Sequence, residues 1–245
     1  MKLIITKDYE ELSARAAGVI ARQVKEKPNS TLGLATGSSP IGLYDCLVGM
    51  EQAGELDFSQ VRSVNLDEYV GLGAEHDQSY ISFMKEHLFD RISIDQNNTH
   101  LPDGHAADLD AEVRRYDAVI DSMGGIDIQL LGIGHTGHIG FNEPGECFTK
   151  GTNVVELDPM TIEANARFFA SEADVPRRAI TMGIGSIMQA KKLLLVANGE
   201  GKAEIVYRAL FGPITPAVPA SALQLHQDVV VVIDEAAAKV IRERT

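Results

Sequence analysis

The chain has 245 residues, 44% of them hydrophobic and 23% charged, the make-up of an ordinary globular protein able to bury a sizeable core. Its formal net charge of −13 argues against general nucleic-acid or anionic-membrane binding, which needs a basic face. The two cysteines, Cys46 and Cys147, lack paired spacing, which argues against a disulfide framework and fits a reducing compartment.

The opening "MKLIITKDYE" has too short an apolar run for a secretory signal and reads as a strand at Lys2–Thr6. Periodicity then predicts a helix over Asp8–Glu26, a strand at Thr31–Ala35, a helix at Pro40–Ala53 and a strand at Val61–Asn65. Helices at Ser79–Phe89 and Leu109–Ser122 follow, then strands at Ile126–Leu131 and Leu193–Ala197. The pattern ends with a helix at Lys202–Leu210, a strand at Val229–Ile233 and a helix at Glu235–Arg242. Runs such as "VVVVI" and "KLLLVA" do not alternate in and out, as expected of strands buried on both faces of a parallel sheet. No stretch approaches the roughly 18 apolar residues that span a bilayer, so no membrane partner and a cytoplasmic location are expected. Strands alternate with helices, and no Ser/Gly/Pro-rich linker or repeat divides them. This predicts one domain over residues 1–245: an α/β, Rossmann-like open, mostly parallel sheet with helices on both faces.

Open α/β sheets bind ligands beyond the carboxyl ends of their strands. Several strands here run into Gly-containing turns: "LATGSSP", "LLGIGHTG", "ITMGIGS" and "LLVANGEGK". In the first, Ser39 suits a helix N-cap and Pro40 the first helical position. Free N–H groups at such a helix start attract an anion, and Thr36, Ser38 and Ser39 add hydroxyl donors around Gly37. The Lys of a P-loop is missing, so a nucleoside triphosphate is not indicated, and the plain alternative is an ordinary capped turn. In "VNLDEYVGL", neighbours Asp67 and Glu68 point to opposite sides of an extended segment, so at most one faces a pocket. A carboxylate at a strand end among apolar neighbours can gain the basicity of a general base; a solvated strand-end acid is the ordinary alternative.

"GIGHTGHIGFNEPG", residues 132–145, begins with the G-x-G-x-x-G of dinucleotide sites. Such sites need a helix directly after the third glycine. Here Gly137 is followed by two more glycines and a proline, which oppose one, and no nicotinamide cofactor is expected. A metal at His135, His138 and Glu143 would lack the i, i+4 helical spacing of zincins, and the cysteines offer no supporting ligand pair. A His held by a carboxylate is the better reading: Glu143 orients His138 as a general acid/base, and His135 is a surface or structural residue. Arg167 in "EANARFFAS" and Lys202 in "VANGEGKAEI" can supply local cations for a phosphate; the ordinary reading is a solvated Arg and a helix-start Lys.

Taken together, "GLATGSSP", "NLDEYVGL", "SYISFMKEHLF", "GIGHTGHIGFNEPG", "ARFF", "TMGIGSIM" and "LQLH" stand in the order found in the glucosamine-6-phosphate deaminase family. The chain resembles that family over nearly its whole length. "NLDEYVG" with "GHIGFNEP" is highly specific; the related 6-phosphogluconolactonases share the fold but continue differently after their Gly-His pair. The resemblance implies conversion of glucosamine 6-phosphate and water to fructose 6-phosphate and ammonium, with a phosphosugar as small-molecule partner and no cofactor. It implies Asp67 as the base acting between C2 and C1, and His138, oriented by Glu143, as the group that opens the sugar ring. Ser38, Ser39, Arg167 and Lys202 would hold the phosphate, with Thr36 and Gly37 shaping the turn. Thr136 departs from the family's usual Asp or Asn and is kept as a site residue, since its hydroxyl can hydrogen-bond but carries no charge.

Hexameric members activated by N-acetylglucosamine 6-phosphate carry basic residues shortly after "FNEP" and a longer C-terminal region. Here Asn153, Val155 and Glu156 stand there and the chain ends at Thr245, so an unregulated enzyme, monomeric or a small homo-oligomer, is expected. Met160–Asp174 is expected to act as a lid bringing Arg167 to the ligand. Two alternatives remain open: another sugar-phosphate isomerase or lactonase of this fold, and a sugar-phosphate-sensing regulator. The regulator would carry an attached helix-turn-helix, which neither the strand-like start nor the acidic charge suggests.

Overall fold

A seven-stranded sheet frames the chain in a computed structural model that describes residues 1–166, 169 and 171–244. The order of elements is β1 (Lys2–Thr6), α1 (Tyr9–Glu26), β2 (Thr31–Leu34), α2 (Ile41–Gln52), β3 (Arg62–Asn65), β4 (Asp67–Tyr69), α3 (Tyr80–His87), β5 (Thr99–His100) and α4 (Leu109–Ser122). There follow β6 (Ile128–Leu131), β7 (Asn153–Glu156), α5 (Pro159–Ala166), β8 (Arg178–Thr181), α6 (Ile184–Ile187), β9 (Leu193–Ala197), α7 (Ala203–Phe211), β10 (Val229–Asp234) and α8 (Lys239–Arg244).

The large sheet has the order β1-β10-β9-β6-β2-β3-β5, and every pairing in it is parallel. Strands β2, β6, β9 and β10 are buried at every position. Successive strand residues face opposite sides, so unbroken burial means that both faces of the sheet are covered. Helix α1 presents Leu12, Ala16, Ile20 and Val24 as its buried stripe, and its first turn is fixed by the Asp8 carboxylate, which accepts the Glu11 N–H at 2.9 Å. The Asp108 carboxylate caps α4 in the same way at Ala111. The chain builds outward from β2 through β3 to β5, then returns to place β6 on the other side of β2. The crevice of such a sheet lies where the order reverses, beyond the carboxyl ends of β2 and β6.

A second sheet, antiparallel and ordered β4-β8-β7, is the main feature the sequence reading missed. Its strands are three or four residues long, and Arg178 and Glu156 at one rim are exposed, so no apolar run announces it. It has its own core of Tyr69, Phe141, Leu157, Ile162, Val175 and Ala179. The chain first crosses from the large sheet to the small one at a single residue. Leu66 donates its N–H to Leu34 of β2 at 3.1 Å and accepts the Met182 N–H at 2.8 Å.

Two boundaries need correction. The first residue of α2 is Ile41, Pro40 precedes it, and no side chain caps this helix, so Ser39 is not its N-cap. The last helix begins at Lys239 rather than Glu235. The residues between are drawn into a turn by Asp234, whose carboxylate accepts the Ala237 N–H at 2.7 Å. Of the segment Met160–Asp174, the described part forms α5 and a short 3-10 turn at Glu172–Asp174; Arg167 lies outside the described residues. Among the described residues no helix is long and apolar enough to cross a membrane.

Candidate functional site

The turn after β2 is shaped by two tyrosines. Tyr44 donates its hydroxyl to the Ala35 carbonyl at 2.6 Å. The Tyr9 hydroxyl meets the carbonyls of Ser38 and Ser39 at 3.0 and 3.1 Å and accepts the Gly42 N–H at 2.9 Å. With these carbonyls held on the protein side, Gly37 and Ser38 are exposed and Thr36 is half-buried. Ser39 donates its hydroxyl to Asn198 at 2.8 Å, which ties this turn to the one that follows β9. Half-buried Lys202 stands at the end of that second turn, just before α7. A Cβ on Gly201, beside it, would lie 3.7 Å from the His135 ring. Three strand ends thus meet: the turns carrying Ser39 and Lys202, and the histidine loop after β6.

Within that loop the structure brings His138, Glu143 and Thr136 together. Glu143 Oε2 takes the His138 Nδ1 contact at 2.9 Å and the Thr136 hydroxyl at 2.8 Å, and Thr136 Oγ1 is also 3.0 Å from His138 Nδ1. The other oxygen, Oε1, accepts the hydroxyl of Thr161 from α5 at 2.5 Å. Burial raises the Glu143 pKa, but the bonds and charge of His138, with those of Thr161 and Thr136, outweigh it and hold the carboxyl below its ordinary value. With Nδ1–H directed at Glu143, Nε2 keeps its lone pair, the tautomer a general base requires. Gly134 is what makes room for the ring: a Cβ there would fall on the His138 imidazole at Nε2. The first half of the apparent dinucleotide fingerprint is therefore a seat for a side chain. Asn142 is structural, donating to the Ile139 carbonyl at 2.9 Å and the Met182 carbonyl at 2.8 Å while its oxygen accepts Thr149 at 2.6 Å.

Asp67 and Glu68 diverge as alternating strand residues must. Glu68 turns to the start of α3, where its carboxylate accepts the N–H groups of Tyr80 at 2.9 Å and Ile81 at 3.1 Å, besides that of Tyr69. Burial still pushes its carboxyl up to about 7. Asp67 faces the other way, only 6% exposed. No hydrogen-bond donor among the described residues meets its carboxylate, and burial first, then the Glu68 charge, push it up to about 8. It lies against the histidine loop: a Cβ on Gly140, whose φ is +57°, would stand 3.4 Å from Asp67 Oδ2. Tyr80, half-buried and held well above its ordinary pKa, lies close to Asp67, Tyr69 and Thr36. Among the described residues no cluster of three His, Cys, Asp or Glu side chains is arranged to hold a metal.

Chemically, the crevice offers an ionisable buried carboxylate, a histidine with a fixed tautomer, and a hydroxyl- and lysine-bearing rim. Sequence reasoning missed Thr161 and the cap role of Glu68. Both act on partners 18 and 13 residues away, across turns that no periodicity encodes.

Residues 7–232 match the family of glucosamine-6-phosphate isomerases/6-phosphogluconolactonase, and the chain belongs to that family. It is 56% identical to a glucosamine-6-phosphate deaminase of Clostridium perfringens (strain SM101 / Type A), over 99% of this chain and 100% of that one. It is 58% identical to the glucosamine-6-phosphate deaminase of Lachnoclostridium phytofermentans, over 95% and 98%. Among solved structures it superposes on a monomeric glucosamine-6-phosphate deaminase with a TM-score of 0.96 and 48% identity, covering 98% of this chain and 100% of that one. A 6-phosphogluconolactonase from Leishmania guyanensis aligns with a TM-score of 0.77 at 21% identity, covering 97% of each chain; at that distance the likeness speaks for the fold alone.

Proposed function

We propose that the protein converts glucosamine 6-phosphate and water to fructose 6-phosphate and ammonium. The observation that carries this is Asp67, a buried carboxylate pushed up to about 8 and set against the loop that bears the His138–Glu143 pair. One crevice thus offers two proton-transfer groups, as a reaction of ring opening followed by carbon-proton transfer requires.

In this reading Ser38, Ser39, Arg167 and Lys202 hold the phosphate, with Thr36 and Gly37 shaping the turn. Binding energy from that remote group fixes the sugar against the reacting residues. His138 moves the proton from the anomeric hydroxyl to the ring oxygen, with Glu143 stabilising the imidazolium that forms and Thr136 steadying Glu143. The open-chain aldehyde acidifies the C2 proton. Asp67 takes it, leaving an enolamine, and returns it to C1 to give an imine at C2, which water hydrolyses to the ketose and ammonia. A base with a pKa near the working pH is well matched to taking and returning a proton.

The protein acts as a monomer in the cytoplasm in this proposal. Support comes from the superposition on a monomeric deaminase. It is also unregulated by N-acetylglucosamine 6-phosphate. A cavity of about 270 Å³ beside Glu143 is lined by Val155 and Glu156 and, among the described residues, by no Lys or Arg, which does not suit a phosphate. Incubation with glucosamine 6-phosphate should release ammonia and fructose 6-phosphate in equal amounts, along a hyperbolic substrate curve. Absence of the ketose, or hydrolysis of 6-phosphogluconolactone instead, would sink the proposal; a sigmoidal curve made hyperbolic by N-acetylglucosamine 6-phosphate would overturn its unregulated part.

A further inference from the structure

Glu143 is bonded at both oxygens, and the two bonds come from different parts of the molecule. Thr136 and His138 reach Oε2 from within the histidine loop. Thr161 reaches Oε1 from α5, where it is 7% exposed and 2.5 Å from its acceptor. Its neighbour Ile162 packs into the core of the small sheet together with Tyr69, two residues beyond Asp67. The helix that carries Thr161 is thus seated on the same body as Asp67.

We propose that Thr161 is a positioning residue for the ring-opening pair, acting through Glu143 Oε1 to keep Oε2 on His138 Nδ1. The terminal torsion of a Glu side chain is broad, so a carboxylate held at one oxygen can swing, while one held at both has a single orientation. Glu143 also lines the cavity of about 270 Å³ on its outer side, where a carboxylate released from Thr161 finds space. The bond is charge-assisted and nearly out of water, which makes it worth more than an exposed hydroxyl contact. Through it, the small sheet sets both proton-transfer groups, carrying Asp67 directly and His138 by way of Thr161 and Glu143.

The kinetic part rests on the deaminase reading; the structural part does not. Thr161→Val keeps the shape and removes the donor, and Thr161→Ser keeps the donor. With glucosamine 6-phosphate, the Val variant should lose about tenfold in kcat with KM nearly unchanged, and the Ser variant should stay close to the parent. In a Glu143→Gln background, Thr161→Val should add no further loss, because its target is already altered. Without substrate, the His138 Nδ1 proton should give a protected NMR signal in the parent and the Ser variant, and exchange rapidly in the Val variant. Should the Val variant fail to fold, judged by thermal melting, Thr161→Ala is measured in its place. A parent enzyme without turnover would defeat the functional reading and leave the NMR comparison to decide the role of Thr161. A donor-free variant that keeps its kcat in an active enzyme overturns the proposal, as does a loss that adds fully to that of Glu143→Gln or an unchanged Nδ1 signal.

Discussion

The two sheets of this protein divide its work. The large parallel sheet is buried through its thickness and mostly apolar, with Thr31, Ser63, Asn65 and Gln129 among its buried polar exceptions, and its strand ends present hydroxyls and a lysine on turns. The small antiparallel sheet is barely a sheet by length, yet Asp67 lies on its first strand, and its core anchors the helix that reaches Glu143. In α/β folds the large sheet provides the frame; here the small one, first entered through Leu66, holds a buried carboxylate pushed up to about 8.

The sharpest way to break this division is Asp67→Asn. The amide cannot take a proton from carbon, so turnover should fall by about 10³-fold or more, while phosphosugar binding persists, as isothermal titration would show. The same change should stabilise the fold at alkaline pH. The folded-state pKa of Asp67 is raised to about 8, so its contribution to stability is fully present below the unfolded value and is lost as pH rises through about 8. Melting of the Asn variant should therefore exceed that of the parent near pH 8 and above, with the gap closing towards pH 4. A gap that widens on acidification would reverse the assignment.

Next in size is Gly134→Ala, which tests whether the glycine seats the imidazole. A Cβ there overlaps the His138 ring, so the ring must move. Displacement on that scale should cost about 100-fold in kcat, with the protein still folded. Full activity would mean that the loop accommodates the methyl and that the seat is unnecessary.

How much of this was legible follows the same division. The strands of the large sheet were readable because "VVVVI" and "LLLVA" are buried without alternation, and Lys2–Thr6, Leu193–Ala197 and Leu109–Ser122 fell where periodicity put them. Asp67–Tyr69 and Arg178–Thr181 became strands through pairing with each other, a long-range event that three or four residues cannot signal. The pairing of His138 with Glu143 was readable because five residues of a turning loop can bring them together. Ser39 was misread as a cap because its hydroxyl had a better partner in Asn198, 159 residues away.

A smaller effect should come from Glu68→Gln. The amide oxygen can still accept the Tyr80 N–H, but the Ile81 N–H, which meets the other carboxylate oxygen, loses its acceptor, and the charge that adds to burial in raising Asp67 is gone. With Asp67 as the proposed base, whose carboxyl is pushed up to about 8, the ascending limb of kcat/KM against pH should move to lower pH by about one unit or less. Weakening of the helix cap should cost about 1 kcal/mol. A limb that moves upward would mean that Glu68 is not the charge acting on Asp67.

The smallest effect on activity, and the control for the whole comparison, lies at the opposite end of the large sheet. Buried Asp127 binds Lys27 at 2.7 Å, Lys191 at 2.8 Å and the Thr31 N–H at 2.8 Å, clamping the starts of β2 and the chain leading to β9. Burial opposes its ionisation, but these partners outweigh burial and hold its pKa below the ordinary value. Its stabilising contribution is therefore present above the unfolded pKa and is lost as pH falls through the depressed folded one, in the range below about 4. Asp127→Asn should cost roughly 2 kcal/mol at neutral pH, read by chemical denaturation, and that deficit should shrink on acidification. It should leave kcat and the pH limb of Asp67 where they were. If the substitution shifts that limb, the frame and the small sheet are coupled through the length of the strands, and the division of work between them fails.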